Sequence, residues 1–230
     1  MSFLQGLHLY EILLMILGVI LFFRVLFLMK SSPKSAAAYF IVSAIFIGWP
    51  SVKSIEFGKI TVELNNQTEE LLKNPTDTAT RQAVAENLKK IEGRSSSDPH
   101  IATIIARAQF ATGNETAAEA NLNQALKADP KLPEALALRQ KIASIQKLDK
   151  LTEQVKSNPQ NEAAKQDLTQ QLGQVAKEPI ANPNALATVA QAQAAVGNKQ
   201  EAAGNAAKAL QISPNLKRAN ELKNLATGPR

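Results

Sequence analysis

Cysteine is absent from this 230-residue chain, which excludes disulfides, thiolate nucleophiles and thiolate metal sites. Histidine is nearly absent. His8 and His100 stand too far apart in sequence for a two-histidine metal motif. Glycine is scarce, and none of its ten occurrences completes a P-loop, a GxGxxG turn or a GxSxG nucleophile elbow. The acidic neighbours Glu69-Glu70 and Glu115/Glu119 read as solvated surface and helix-start charges rather than an acid–base pair. Together these absences predict a chain that is not an enzyme and needs neither cofactor nor metal. The sequons at Asn66 and Asn114 have meaning only in a eukaryotic secretory host.

Charge of one sign is also in short supply. The formal net charge of +6 divides evenly, with residues 1–59 and residues 60–230 each contributing +3. Nucleic acid demands clustered positive charge to displace counterions, so no nucleic-acid partner is expected.

Apolar sequence is concentrated at the start. Leu9–Met29 is a run of 21 residues broken only by Glu11 and Arg24, and at 1.5 Å per residue it covers the roughly 30 Å of a hydrocarbon core. No Lys or Arg precedes it and the run exceeds a signal-peptide core, so it reads as a retained span. A second run, Ala36–Val52, ends at an interfacial Trp49-Pro50. Residues 1–53 are thus expected to form a transmembrane hairpin with spans of about 9–29 and 36–52. Glu11 and Arg24 are its intramembrane polar residues. The tip carries Arg24, Lys30 and Lys34, which predicts a cytoplasmic tip and termini on the other side, in the manner of a bacterial inner-membrane protein with a periplasmic domain. Lys53 and Lys59 argue for the alternative, a cytoplasmic domain. The apolar residues Ile55, Phe57, then Ile60, Val62 and Leu64 argue by period two for a short strand or extended connector, whereas the following NNQTEELLK is helical in character, so residues 54–62 are read as the linker from membrane to repeats with strand and helix both open.

The remaining residues, 63–230, repeat themselves. Pro99–Pro130 matches Pro183–Pro214 at 12 of 32 positions without a gap, and both copies contain Gly-Asn (113–114 and 197–198) and close on proline. Each copy reads as helix, tight turn, helix, stop. Asn74-Pro75 returns as Asn158-Pro159, with Val84 and Leu88 answered by Leu168 and Leu172. The repeating unit is therefore expected to be a block of about 84 residues and four helices, duplicated at about 63–146 and 147–218. Pro133–Ser157 would be the long opening helix of the second block, with Leu138, Ile142, Ile145, Leu148, Leu151 and Val155 on its buried face. Arg218–Ala226 would cap the stack. Ser95-Ser96-Ser97 reads as a plain linker.

The helix pairs resemble the tetratricopeptide repeat. Ala102, Ile105, Ala106, Gly113, Ala118, Leu122, Ala125 and Pro130 stand at that family's packing spacing, as do Leu186, Val189, Ala190, Gly197, Ala202, Ala206, Ala209 and Pro214. The pattern departs from the family at Gln109 and Gln193, where an aromatic is usual. The resemblance implies an all-α fold, a two-helix membrane hairpin followed by a small α-solenoid, whose concave face grips a protein partner. The implied lining is His100, Thr103, Arg107 and Phe110 in the first copy and Asn184, Ala187, Gln191 and Ala194 in the second. Arg107 and an exposed Phe110 would be the strong handles; the favoured reading, because single aromatics are mostly buried, places Phe110 in the core and leaves Arg107 solvated.

These readings predict a membrane-anchored scaffold for complex assembly, acting in an oligomer or membrane complex. In layout it resembles the bacterial cytochrome c maturation factor that presents apocytochrome. The alternative is an accessory subunit whose hairpin is the interacting element, using Gly18, Ser43 and Gly48 for close packing and Glu11 or Arg24 for pairing with another subunit.

Overall fold

The computed structural model describes residues 9–29, 33–92, 94 and 98–222, and among these every regular element is helical and no strand occurs. The fold is all-α. Outside the described residues lie His8, tip residue Lys30, the linker serines 95–97, and residues 223–226 of the expected cap.

Helix α1 (Leu9–Leu28) turns back into α2 (Pro33–Lys73), and the two pack along their length as an antiparallel pair. The buried positions of α1 are Glu11, Gly18 and Val25, seven residues apart. Those of α2 include Ala36 and Ser43, then Phe57, Leu64 and Leu71, again in steps of seven. A seven-residue step keeps buried positions on one side of a helix, toward α1 at Ala36 and Ser43 and toward α3 and α4 at Phe57, Leu64 and Leu71. Small residues bring the backbones close. A Cβ built on Gly18 would stand 2.8 Å from Cβ of Phe46 and 3.1 Å from the backbone nitrogen of Ile47.

Both helices are long and apolar enough to cross a membrane, as length and composition judge it. At 1.5 Å per residue α1 covers about 30 Å and α2 about 60 Å, twice a hydrocarbon core. Apart from Leu136, every exposed large apolar side chain among the described residues lies in the hairpin or on α2 as far as Val62, or at Met29 just beyond α1.

The segment 54–62, whose type the sequence left open, is helical and forms the middle of α2. Its period-two pattern arose from two helix faces read as one. Phe57, Ile60 and Leu64 point inward, whereas Ile55 and Val62 are each 63% exposed. Thr61 and Thr68 donate their hydroxyls to the carbonyls of Phe57 and Leu64, four residues back, which satisfies both inside the helix.

The rest of the chain follows its punctuation. Helices α3 (Thr78–Lys90), α4 (Pro99–Thr112), α5 (Glu115–Ala128), α6 (Pro133–Ser157), α7 (Glu162–Val175), α8 (Pro183–Ala195), α9 (Lys199–Ile212) and α10 (Lys217–Asn220) succeed one another. Asp77, Asp98, Asn114, Asn161 and Asn182 accept backbone N–H bonds at the starts of α3, α4, α5, α7 and α8. Prolines open α4, α6 and α8. Gly113 and Gly197 adopt φ of 98° and 90°, the left-handed region that lets α4 and α8 stop and reverse within two and three residues respectively.

Two cores result, joined through α4. Its Ala102, Ala106 and Phe110 face α5 and α6, while Ile105, Ala108 and Ala111 meet Phe57, Ile60, Leu64 and Leu71 of α2 and Val84 of α3. Helix α2 therefore leaves the hairpin and enters the core of the helical domain without a break. Helix α8 lies deepest: Pro183 and every residue from Ala185 to Gln193 are buried, because its small side chains let α6, α7, α9 and α10 approach. Helix α10 overlaps the start of the segment expected at 218–226, and its buried Ala219 packs on α8 and α9.

Candidate groove on the helical domain

A groove of about 590 Å³ opens where α2, α4 and α6 meet the connector before α8. The four residues selected in the first repeat, His100, Thr103, Arg107 and Phe110, all line it. Their spacing of three and four puts them on one face of α4. The apolar floor comes from Leu72, Ile104, Phe110, Leu138 and Ile180.

The rim is polar and internally paired. Arg107 is held by Glu69 at 2.6 Å and by the side-chain oxygen of Asn65, so α2 fixes the guanidinium at the groove edge. Nδ1 of His100 lies 2.8 Å from Oε1 of Glu134, tying the start of α4 to the start of α6. Glu134 is held below the usual carboxylate range by its own backbone N–H and, next, by His100. Lys141 reaches Glu178 at 3.1 Å and donates to the carbonyl of Pro179 at 2.8 Å. The opening is thus an apolar trough between two mixed-charge edges.

The second-copy lining needs correction, and of the two readings of Phe110 the buried one, favoured from the sequence, holds. Phe110 is 6% exposed and belongs to the core beneath the groove, since α5 and α6 close over the face it occupies. Thr103 is likewise buried and spends its hydroxyl on the carbonyl of Pro99 at 2.7 Å. The second-copy residues do not join them. Asn184 sits at the surface, donating to Glu115 at 3.3 Å. Gln191 is 5% exposed inside the α8 core, and Ala187 is fully buried.

The far wall comes instead from residues that the repeat spacing passed over: Asn65 and Glu69 of α2, Glu134, Leu138 and Lys141 of α6, and Ile180, Ala181 and Asn182 of the connector. One signal for the connector was present. Ile180 and Ala181 are apolar residues in an otherwise polar stretch just ahead of a helix cap, and both are buried.

In the hairpin, Glu11 is fully buried toward α2, whereas Arg24 is exposed with its guanidinium 5.7 Å from the centre of the Tyr39 ring. Gly18 and Ser43 are used within the hairpin, while a Cβ on Gly48 would meet nothing within 4 Å. Among the described residues no group of His, Asp and Glu could hold a metal ion.

No family model, curated protein or solved structure matches the chain.

Proposed function

We propose that this chain is a membrane-anchored, non-enzymatic scaffold. Its hairpin spans the bilayer, and a tetratricopeptide-like solenoid of two related blocks of about 84 residues presents the α2–α4–α6 groove to a segment of a protein partner. The observation that carries this reading is the groove itself, an apolar floor with polar edges built directly onto the anchor helix.

Pairs of features at the same offset support the duplication. Thr68 bonds the carbonyl of Leu64 at 2.7 Å and Thr152 that of Leu148 at 2.7 Å, with all four residues fully buried. Asn121 donates to Gln109 at 2.9 Å, and Asn205 to Gln193 at 2.8 Å. The departure from the family at Gln109 and Gln193 thus has a purpose in both copies: an amide pair locks the two helices where an aromatic would otherwise pack.

A photo-crosslinking residue placed at Ala137 or Ile104 in the full chain tests the groove. We expect one discrete protein adduct in native membranes and none from Ala163 on α7. Loss of the adduct on replacing the hairpin with an unrelated anchor would instead favour the accessory-subunit reading. A periplasmic domain predicts that cysteines introduced at Ser157 and Ser213 react with an impermeant thiol reagent in intact cells. A cytochrome c maturation role predicts defective cytochrome c assembly in a deletion strain.

A further inference from the structure

Where α2 leaves the hairpin, Lys53 lies beside the single tryptophan, and Lys90 and Arg94 at the end of α3 come to the next turns of the same helix. Nζ of Lys53 lies 5.4 Å from the centre of the Trp49 ring, one turn further along α2. The guanidinium of Arg94, which follows the end of α3, stands 6.0 Å from the centre of the Phe57 ring and 3.5 Å from the carbonyl of Lys53. Lys90, in the last turn of α3, acts with Lys53 and Arg94 on the charge of Glu56. Lys53 bonds Glu56 at 2.8 Å and Lys90 bonds Asn87 at 3.0 Å, leaving Glu56 as the acid that these three bases share.

The location decides what such a cluster faces. Trp49 is half exposed at the end of the second apolar run, the place of an interfacial aromatic. Beyond it Val52, Ile55 and Val62 remain exposed at spacings of three and seven, with exposed Lys59 on the same side. In an embedded hairpin, an apolar strip that continues past the tryptophan puts the following turns of α2 in the headgroup layer, where bases meet lipid phosphate.

We propose that Lys53, Lys90 and Arg94, beside Trp49, form a binding site for the headgroup of an anionic phospholipid. Arg94, stacked on Phe57, presents its fork to the phosphate oxygens, and the two ammonium groups supply the remaining charge. The site fixes the depth and tilt of the stalk, and so the height of the groove above the bilayer. This inference rests on the hairpin being embedded, and the test separates the two.

Trp49 reports on the site because the chain has no other tryptophan. The full chain is reconstituted in vesicles containing either brominated phosphatidylglycerol or brominated phosphatidylcholine at equal mole fraction, and quenching of Trp49 is compared. We expect quenching by the anionic lipid to exceed that by the zwitterionic one by about twofold or more, with the excess removed by salt and by K53Q/K90Q/R94Q. The control K156Q/K165Q, at bases paired with Glu153 and Glu162 on α6 and α7, should keep the excess. Equal quenching by both lipids, or an excess that survives the triple substitution, overturns the site while leaving the anchor intact. Quenching by neither lipid overturns the embedded hairpin and the site with it.

Discussion

The guanidinium of Arg81 donates to the carbonyl of Ala181 at 2.7 Å, across 100 residues of sequence. The same side chain donates to Pro75 at 2.9 Å and to Ala111 at 3.1 Å, so one cation gathers the end of α2, the end of α4 and the connector that walls the groove. Burial lowers the pKa of Arg81, and no carboxylate compensates. Three carbonyls do so, two of them near the C-terminal ends of helices, where the backbone dipoles favour a cation.

Replacing Arg81 by Met should therefore cost about 3 kcal/mol, because three carbonyls lose a charged donor together. Arg81→Lys should recover only part of this, since an ammonium cannot match the fork. Urea unfolding of the full chain in detergent micelles, followed by circular dichroism, measures both. A loss below about 0.5 kcal/mol for Arg81→Met would mean that water replaces the guanidinium at little cost.

Two glycines of the hairpin should respond in opposite ways. Gly18→Ala drives a Cβ into Phe46 and the backbone at Ile47, and overpacking of this kind costs about 1–3 kcal/mol. Gly48→Ala meets nothing and removes a helix-weakening glycine, so it should be neutral or stabilising by up to about 1 kcal/mol. Thermal unfolding in micelles ranks the pair, and equal effects would argue against the close approach at Gly18.

Asn182 tests why the caps of α4 and α8 differ. Helix α4 uses Asp98; α8 uses a fully buried Asn182, which accepts from the N–H of Ala185 at 3.0 Å and donates to Glu115 at 3.1 Å. A carboxylate could do the first task but not the second. Asn182→Ala should cost about 2 kcal/mol through loss of the cap and of the bond to Glu115. Asn182→Asp, which sets a second acid against Glu115, should be the more damaging at pH 7 and should improve as the pH falls. If Asn182→Asp matched the wild type at neutral pH, the bond to Glu115 would carry no weight.

Acid should weaken the domain through Asp77 and Glu134. The Thr80 hydroxyl lowers the Asp77 pKa, and the backbone N–H of Glu134 with His100 lowers that of Glu134. Each carboxyl binds its proton more weakly when folded, so its contribution is complete above the unfolded carboxylate values, about 4, and is lost as pH falls through the lower folded values. Melting temperature should be level near neutrality and decline below about pH 4, with a shallower decline in Asp77→Asn/Glu134→Gln. An unchanged acid limb in that variant would assign the decline to other groups.

How much of this was readable in advance depended on the range of the interaction. The Gly113-Asn114 and Gly197-Asn198 pairs announced turns, and Pro130 and Pro214 announced stops, because a positive φ or a missing N–H is settled by a few neighbouring atoms. The face of α4 that carries His100, Thr103, Arg107 and Phe110 was readable for the same reason, since residues three and four apart share a side whatever surrounds the helix. Which of them stays open was not. Phe110 closed into the core because α5 and α6 came to lie over it, and the opposite wall arrived from Lys141 and Ile180, tens of residues away.

The sequence by itself determined the two apolar runs at the start and the turns and stops of the helix pairs from Pro99 onward, all consequences of local hydrogen bonding and composition. Tertiary structure alone decided that residues 54–62 continue one 41-residue helix, that the groove lies between α2, α4 and α6, and that Arg81 binds Ala181. The physical reason is that packing selects among locally allowed arrangements. Ile55 and Phe57 look alike in a sequence, and only the arrival of α3 and α4 makes one of them surface and the other core.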